Sequence, residues 1–138
     1  MSSSSGIAVD SACVDAFQNL KLGKKVKYII YKLSDDNKSI TVEKDAAEGT
    51  YDDFLAGLPS DDCRYAVYDF DYSSPDGDRN KIVFYAWSPD SAKIKSKMIY
   101  SSSKEALRKS LNGIAVEIQG TDFDEVSHDS VLEKIQRR

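Results

Sequence analysis

Residues 64–87 read RYAVYDFDYSSPDGDRNKIVFYAW, and the fold turns on how this stretch is parsed. Arg64 to Tyr72 and Lys81 to Trp87 are dense in aromatic and β-branched side chains, the types that fit a pleated, covered surface. Between them Ser73 to Asn80 carries Pro75 and the Asp76-Gly77 pair, so the two runs are expected to form a hairpin. Upstream, Val26 to Leu33 (VKYIIYKL) is largely apolar on both alternating faces, which calls for cover on both sides and so a central strand. Asp35-Asp36-Asn37 supplies a turn. Ser39 to Lys44 alternates more weakly, as a strand nearer an edge does, and Ile114, Val116 and Ile118 alternate in a last short strand.

Helical patterns fill the gaps. Asp10 is placed to cap a helix carrying Val14, Phe17 and Leu20, with Gly23 as its left-handed stop. A short helix is expected to start at Thr50, run through Phe54 and Leu55, and end near Gly57. Ser88-Pro89-Asp90 has the form of a helix start: a cap, a proline at the first helical position and an acid at the positive end of the dipole. The pattern from Asp90 to Asn112 is the longest. Ser101-Ser102-Ser103 interrupts it, and Ser102 with Glu105 has capping-box spacing, which predicts one long helix bent at the serines or two end to end. Thr121 to Val126 reads as a turn of helix, and Ser127 as the cap of a final helix carrying Val131, Leu132 and Ile135. The sum is an α+β domain, a mixed sheet with helices on both faces, preceded by a mobile serine-rich arm at residues 1–6.

The 138 residues suffice for one core, residues 7–138 forming the single domain. A formal charge of −4 argues against a nucleic-acid-coating protein. No stretch approaches the roughly 20 apolar residues of a membrane span, and the amino end lacks a signal-peptide pattern, so a soluble intracellular protein is expected. Cys13 and Cys63 are the only cysteines and sit within apolar patterns, where two small buried thiols are expected rather than a disulfide. His128 is the sole histidine, and no glycine cluster exists to cradle a phosphate. No cofactor or metal is implied. Asp52-Asp53 and Asp61-Asp62 are the available acid pairs for an enzyme, but both read readily as solvated loop or cap acids and nothing cleft-like marks them.

The modest net charge hides an asymmetry. Residues 45–78 hold ten acids and one base, Arg64; residues 79–111 hold eight bases and two acids, Asp90 and Glu105. Lys97, Lys104 and Arg108 recur at roughly helical spacing near Ile94 and Met98. Two readings stay open: a solvated amphipathic helix, or a cationic face for an acidic protein surface or anionic headgroups.

The run WSPDSAKIKSKMIYSSSKEALRKSLNG at 87–113 resembles the signature of the ADF/cofilin family, yeast-type members in particular. The resemblance continues through LKLGKK at 20–25, DCRYAVYDFDY at 62–72, RNKIVF at 79–84 and GTDFDEVSHDSVLEKI at 120–135, so it covers essentially the whole chain. It implies an actin-depolymerising-factor homology fold with a mixed sheet of about five strands, and a protein that remodels actin without catalysis. By resemblance, the long helix wedges between two actin subdomains through Lys95, Lys97, Met98, Lys104, Arg108 and Lys109, joined by Ser3, Ser4, Ser5 and Gly6 of the arm. A second patch needed only for filaments corresponds to Arg79, Lys81, Glu133, Lys134 and Arg137. Bridging two subunits with a geometry unlike that of the bare filament converts binding energy into filament twist, and boundaries with bare segments break.

The resemblance further implies that phosphoinositide headgroups compete for Lys104, Arg108 and Lys109, that ADP-bound actin is preferred, and that the protein is a cytoplasmic monomer of the actin cytoskeleton, cortical patches included. Ser5 stands where many relatives carry a regulatory phosphate, though four consecutive serines leave the acceptor ambiguous. The basic run Lys24-Lys25-Val26-Lys27 is shorter and more broken than the import segment of vertebrate relatives, which counts against nuclear entry. An alternative within the same fold is a regulator that removes branches by binding the actin-nucleating Arp complex. The intact KSKMIYSSSKEALRK helix counts against it.

Overall fold

A computed structural model describes residues 7–22 and 25–137. Six strands and four helices follow in the order β1 (Ala8–Val9), α1 (Ser11–Lys21), β2 (Tyr28–Leu33), β3 (Ser39–Ala46), α2 (Tyr51–Ala56), β4 (Arg64–Ser74), β5 (Gly77–Trp87), α3 (Ile94–Ser110), β6 (Val116–Gly120) and α4 (His128–Gln136). They build one mixed sheet in the spatial order β1-β3-β2-β4-β5-β6. The two outermost pairings, β1 with β3 and β5 with β6, are parallel, and the three inner ones are antiparallel.

The sheet is the middle of three layers. On one face Phe17 and Leu20 of α1 and Tyr100 and Leu107 of α3 pack on Ile29, Tyr31, Tyr65, Val67 and Phe84. On the other, Tyr51 and Phe54 of α2 and Val131 and Ile135 of α4 pack on Tyr28, Ile30, Tyr68, Phe70 and Tyr85. Strand β2 feeds both clusters through alternate residues, which is why its sequence is apolar on both sides. Each fully buried aliphatic or aromatic side chain contributes roughly 1.5–3 kcal/mol.

Local signals set several boundaries. Asp10 accepts from the Ala12 amide at 3.0 Å and caps α1. Thr50 and Asp53 form a reciprocal capping box at the start of α2. Ser127 accepts from the Ser130 amide and caps α4. Asn37 takes φ 59° in the turn after β2. Gly23, expected to stop α1, lies outside the described residues, as do residues 1–6. Both cysteines are buried free thiols.

Five expectations change. The hairpin is longer: Ser74 pairs with Gly77, so the turn shrinks to Pro75-Asp76 and both strands run on to meet it. Ser88-Pro89-Asp90 does not start α3, whose N-cap is Lys93. The Ser88 amide instead donates to the Gly120 carbonyl at 2.9 Å, so the chain continues beyond β5 alongside the end of β6 before turning into the helix. The serine triplet neither divides α3 nor caps a second helix. Ser102 Oγ donates back to the Ile99 carbonyl, and α3 runs unbroken because Tyr100, Ser103 and Leu107 all face the sheet. Thr121 to Val126 forms turns rather than helix, the Glu125 carboxylate accepting from both the amide and the hydroxyl of Thr121. The sheet gains a sixth strand, β1, whose two residues are too few to show a period.

Candidate binding faces on α3 and the hairpin

Helix α3 is fixed from beneath and free above. Tyr100, Ser103 and Leu107 are buried, and the Ser103 hydroxyl has no hydrogen-bond partner among the described residues. On the opposite side, Ile94, Met98, Ser101, Glu105 and Lys109 follow the i, i+4, i+7, i+11, i+15 progression along a single stripe, and all are exposed. Ile94 is 75% and Met98 67% exposed, two large apolar side chains left in water on an otherwise well-packed helix. Met is unbranched and polarizable, suited to adaptable contact with a partner surface.

The six residues expected on this helix occupy different settings. Lys95 and Lys109 are exposed and make no hydrogen bond or ion pair among the described residues. Lys97 is half-buried, its Nζ donating to the Asp90 carbonyl at 2.9 Å. Lys104 and Arg108 share one carboxylate, Glu117 of β6: Lys104 Nζ lies 2.7 Å from Oε2 and Arg108 Nε 3.0 Å from Oε1. Burial pushes the Glu117 carboxyl up, but bonds and charge from Lys104 and Arg108 reverse this and hold it below its ordinary range. Met98 therefore stands on a ridge with Lys95 on one flank and Lys97, Lys104 and Arg108 on the other.

A second network anchors the beginning of the helix. Arg64 of β4 donates to Glu43 Oε1 at 2.8 Å and to Asp62 Oδ2 at 2.9 Å, and Asp62 Oδ1 accepts from Ser96 Oγ at 3.0 Å. Burial opposes the charge on Arg64, yet the two carboxylates keep its guanidinium firmly protonated. The single base within the acidic segment is thus a strut between β3, β4 and α3. Glu117 and this strut were not among the expected site residues. Their local sequence carries no signal, since both depend on which strands become neighbours.

Arg79 and Lys81 lie toward the tip of the hairpin. Residues 79, 81, 83 and 85 alternate with Ile82 and Phe84, so these two cations project on the α4 side of the sheet, opposite α3. Arg79 holds Asp76 at 3.3 Å. A cleft of about 360 Å³ joins Arg79 and Lys81 to Ile135 and Gln136 at the end of α4. Glu133, Lys134 and Arg137 are exposed on that helix end, and Glu133 pairs with Arg137 at 3.6 Å. The fold thus brings hairpin tip and α4 terminus together, while Ser3, Ser4, Ser5 and Gly6 lie outside the described residues.

Residues 6–136 match the family described as Cofilin/tropomyosin-type actin-binding protein. The chain is 61% identical over 135 residues to a cofilin of Mycosarcoma maydis, covering 97% of each chain. To a cofilin of Ogataea parapolymorpha it is 59% identical over 137 residues, covering 98% of this chain and 96% of the relative. A crystal structure titled Streptomyces griseoflavus cofilin superposes with a TM-score of 0.92 at 57% identity, over 96% of this chain and 98% of that one.

Proposed function

The chain belongs to the cofilin and actin-depolymerising-factor family, and on that premise we propose how its two faces divide the work. It binds actin, severs and depolymerises filaments, and is not an enzyme. The α3 stripe serves monomer and filament alike: the Ile94–Met98 ridge enters an apolar cleft while Lys95, Lys97, Lys104, Arg108 and Lys109 meet acidic groups at its rim. The arm residues Ser3, Ser4, Ser5 and Gly6 join this face. Arg79 and Lys81 with Glu133, Lys134 and Arg137 form the filament-specific face, engaging the neighbouring subunit.

The observation that carries this reading is the exposure of Ile94 and Met98 on a helix whose opposite side is fully packed. Among the described residues nothing covers those side chains, and the cations beside them suit an acidic partner.

Regulation follows from the same charges. Lys104, Arg108 and Lys109 offer three cations to a phosphoinositide headgroup, so such lipids compete with actin. A phosphate on Ser5 adds about −1.5 to −2 charges beside the cationic face and weakens binding. The protein acts as a monomer in the cytoplasmic actin cytoskeleton, cortical patches included, with ADP-bound subunits preferred. The test is co-sedimentation with actin filaments at two ionic strengths, with microscopy of labelled filaments. Pelleting that weakens with salt and visible fragmentation are expected; neither pelleting nor fragmentation would defeat the reading.

A further inference from the structure

Strand β6 turns a single acid toward α3. Val116 and Ile118 point into the core beneath α4, so Glu117 and Gln119 face the other layer, and the parallel register sets Glu117 beside Phe84. The Glu117 carboxylate is filled on both oxygens: Oε1 accepts from Arg108 Nε, and Oε2 from Lys104 Nζ and, at 3.4 Å, from Gln119 Nε2. The Arg108 guanidinium also lies over the Phe84 ring, 5.5 Å from its centroid.

Arg108 is thus held edge-on. An arginine that ends its interactions in an internal ion pair commonly commits both terminal nitrogens to a carboxylate in a fork. Here the carboxylate takes the Nε side, Phe84 supports the flat face, and neither terminal nitrogen has a partner among the described residues. Lys104, which carries three N–H donors, uses one of them on Glu117.

We propose that Glu117 is a positioning residue for actin binding, holding Lys104 and Arg108 in place so that their remaining donors are preset for carboxylates of the partner. This rests on the actin reading of α3. Long cationic side chains lose rotamer freedom when a partner immobilises them, and a side chain already fixed in the free protein loses less. The opposite role is a competitor: an acid that occupies the cations until actin displaces it. The two roles differ in sign, because removing a competitor tightens binding and removing a positioning group weakens it. The unused terminal nitrogens of Arg108 favour positioning.

The experiment measures affinity for labelled actin monomers, with thermal unfolding in parallel, for the unmodified protein, Glu117→Gln, Lys104→Ala with Arg108→Ala, and the triple variant. Glu117→Gln is expected to weaken monomer binding about tenfold, the scale of re-immobilising two long side chains. In the Lys104→Ala, Arg108→Ala background the same change is expected to have less than about a twofold effect, since the group acts through those cations. Unchanged or tighter binding by Glu117→Gln overturns the proposal, as does an equal loss in the background lacking both cations. Should Glu117→Gln fail to fold, Glu117→Asp, which keeps the charge and shortens the reach, is expected to show the same dependence on Arg108 and Lys104. If the unmodified protein does not bind monomers at all, the actin reading itself fails.

Discussion

The backbone N–H of Leu33 donates to the hydroxyl of Tyr100 at 2.9 Å. That bond ties the last residue of central strand β2 to the middle of α3, and the Tyr65 hydroxyl adds a second tie by donating to the Tyr100 carbonyl. With the Arg64–Asp62–Ser96 network at its start and Glu117 toward its end, the helix is fastened at three levels. Tyr100→Phe keeps the ring packing and leaves a buried N–H without its acceptor. A loss of about 1–3 kcal/mol in chemical denaturation is expected; an unchanged midpoint would show that this tie contributes nothing.

Met98→Asp separates function from stability. The side chain is 67% exposed on the outer stripe, so unfolding should shift by no more than about 0.5 kcal/mol. Actin-monomer affinity should fall on the order of tenfold or more, because a charge replaces the apolar contact at the centre of the face. Full actin binding by this variant would remove the ridge from the interface.

Arg79→Ala with Lys81→Ala addresses the other face. Filament co-sedimentation should weaken severalfold while monomer affinity stays within about twofold, since these cations lie across the sheet from α3. Equal losses for both actin forms would merge the two faces into one.

The Glu117 carboxyl is held below its ordinary range in the folded protein. Its contribution is therefore present above the unfolded-state pKa of about 4.3 and is lost as pH falls through the lower folded value. The group is about a quarter exposed, so the effect is on the order of 1 kcal/mol. Glu117→Gln should consequently be less stable than the unmodified protein at pH 7, with the difference shrinking as pH falls through the folded value. A constant difference across that range, measured by denaturant titration, would contradict the assignment.

What could be read from the chain was what is decided locally. Asp10, Thr50 and Ser127 cap helices because each hydroxyl or carboxylate reaches an amide two or three residues on. The two-faced apolar pattern of β2 likewise records its central place. Ser88-Pro89-Asp90 carries the same local signature as a helix start, yet the Ser88 and Asp90 amides go to Gly120 and Thr121, about thirty residues away, and that pairing overrides it. Along α3 the lysines, arginine and methionine were legible as a list. Their division into free Lys95 and Lys109 and tethered Lys104 and Arg108 was not, because it follows from the parallel register of β5 and β6.

Strand β5 has a mechanical consequence of its own. Phe84 supports Arg108 on one side of the sheet, while Lys81, three residues earlier and about 10 Å along the same strand, projects on the other. With both proposed faces mounted on one hydrogen-bonded strand, the span between them is set by the sheet and acts as a fixed calliper. On the proposed reading, any mismatch with the spacing of adjacent protomers falls on the polymer.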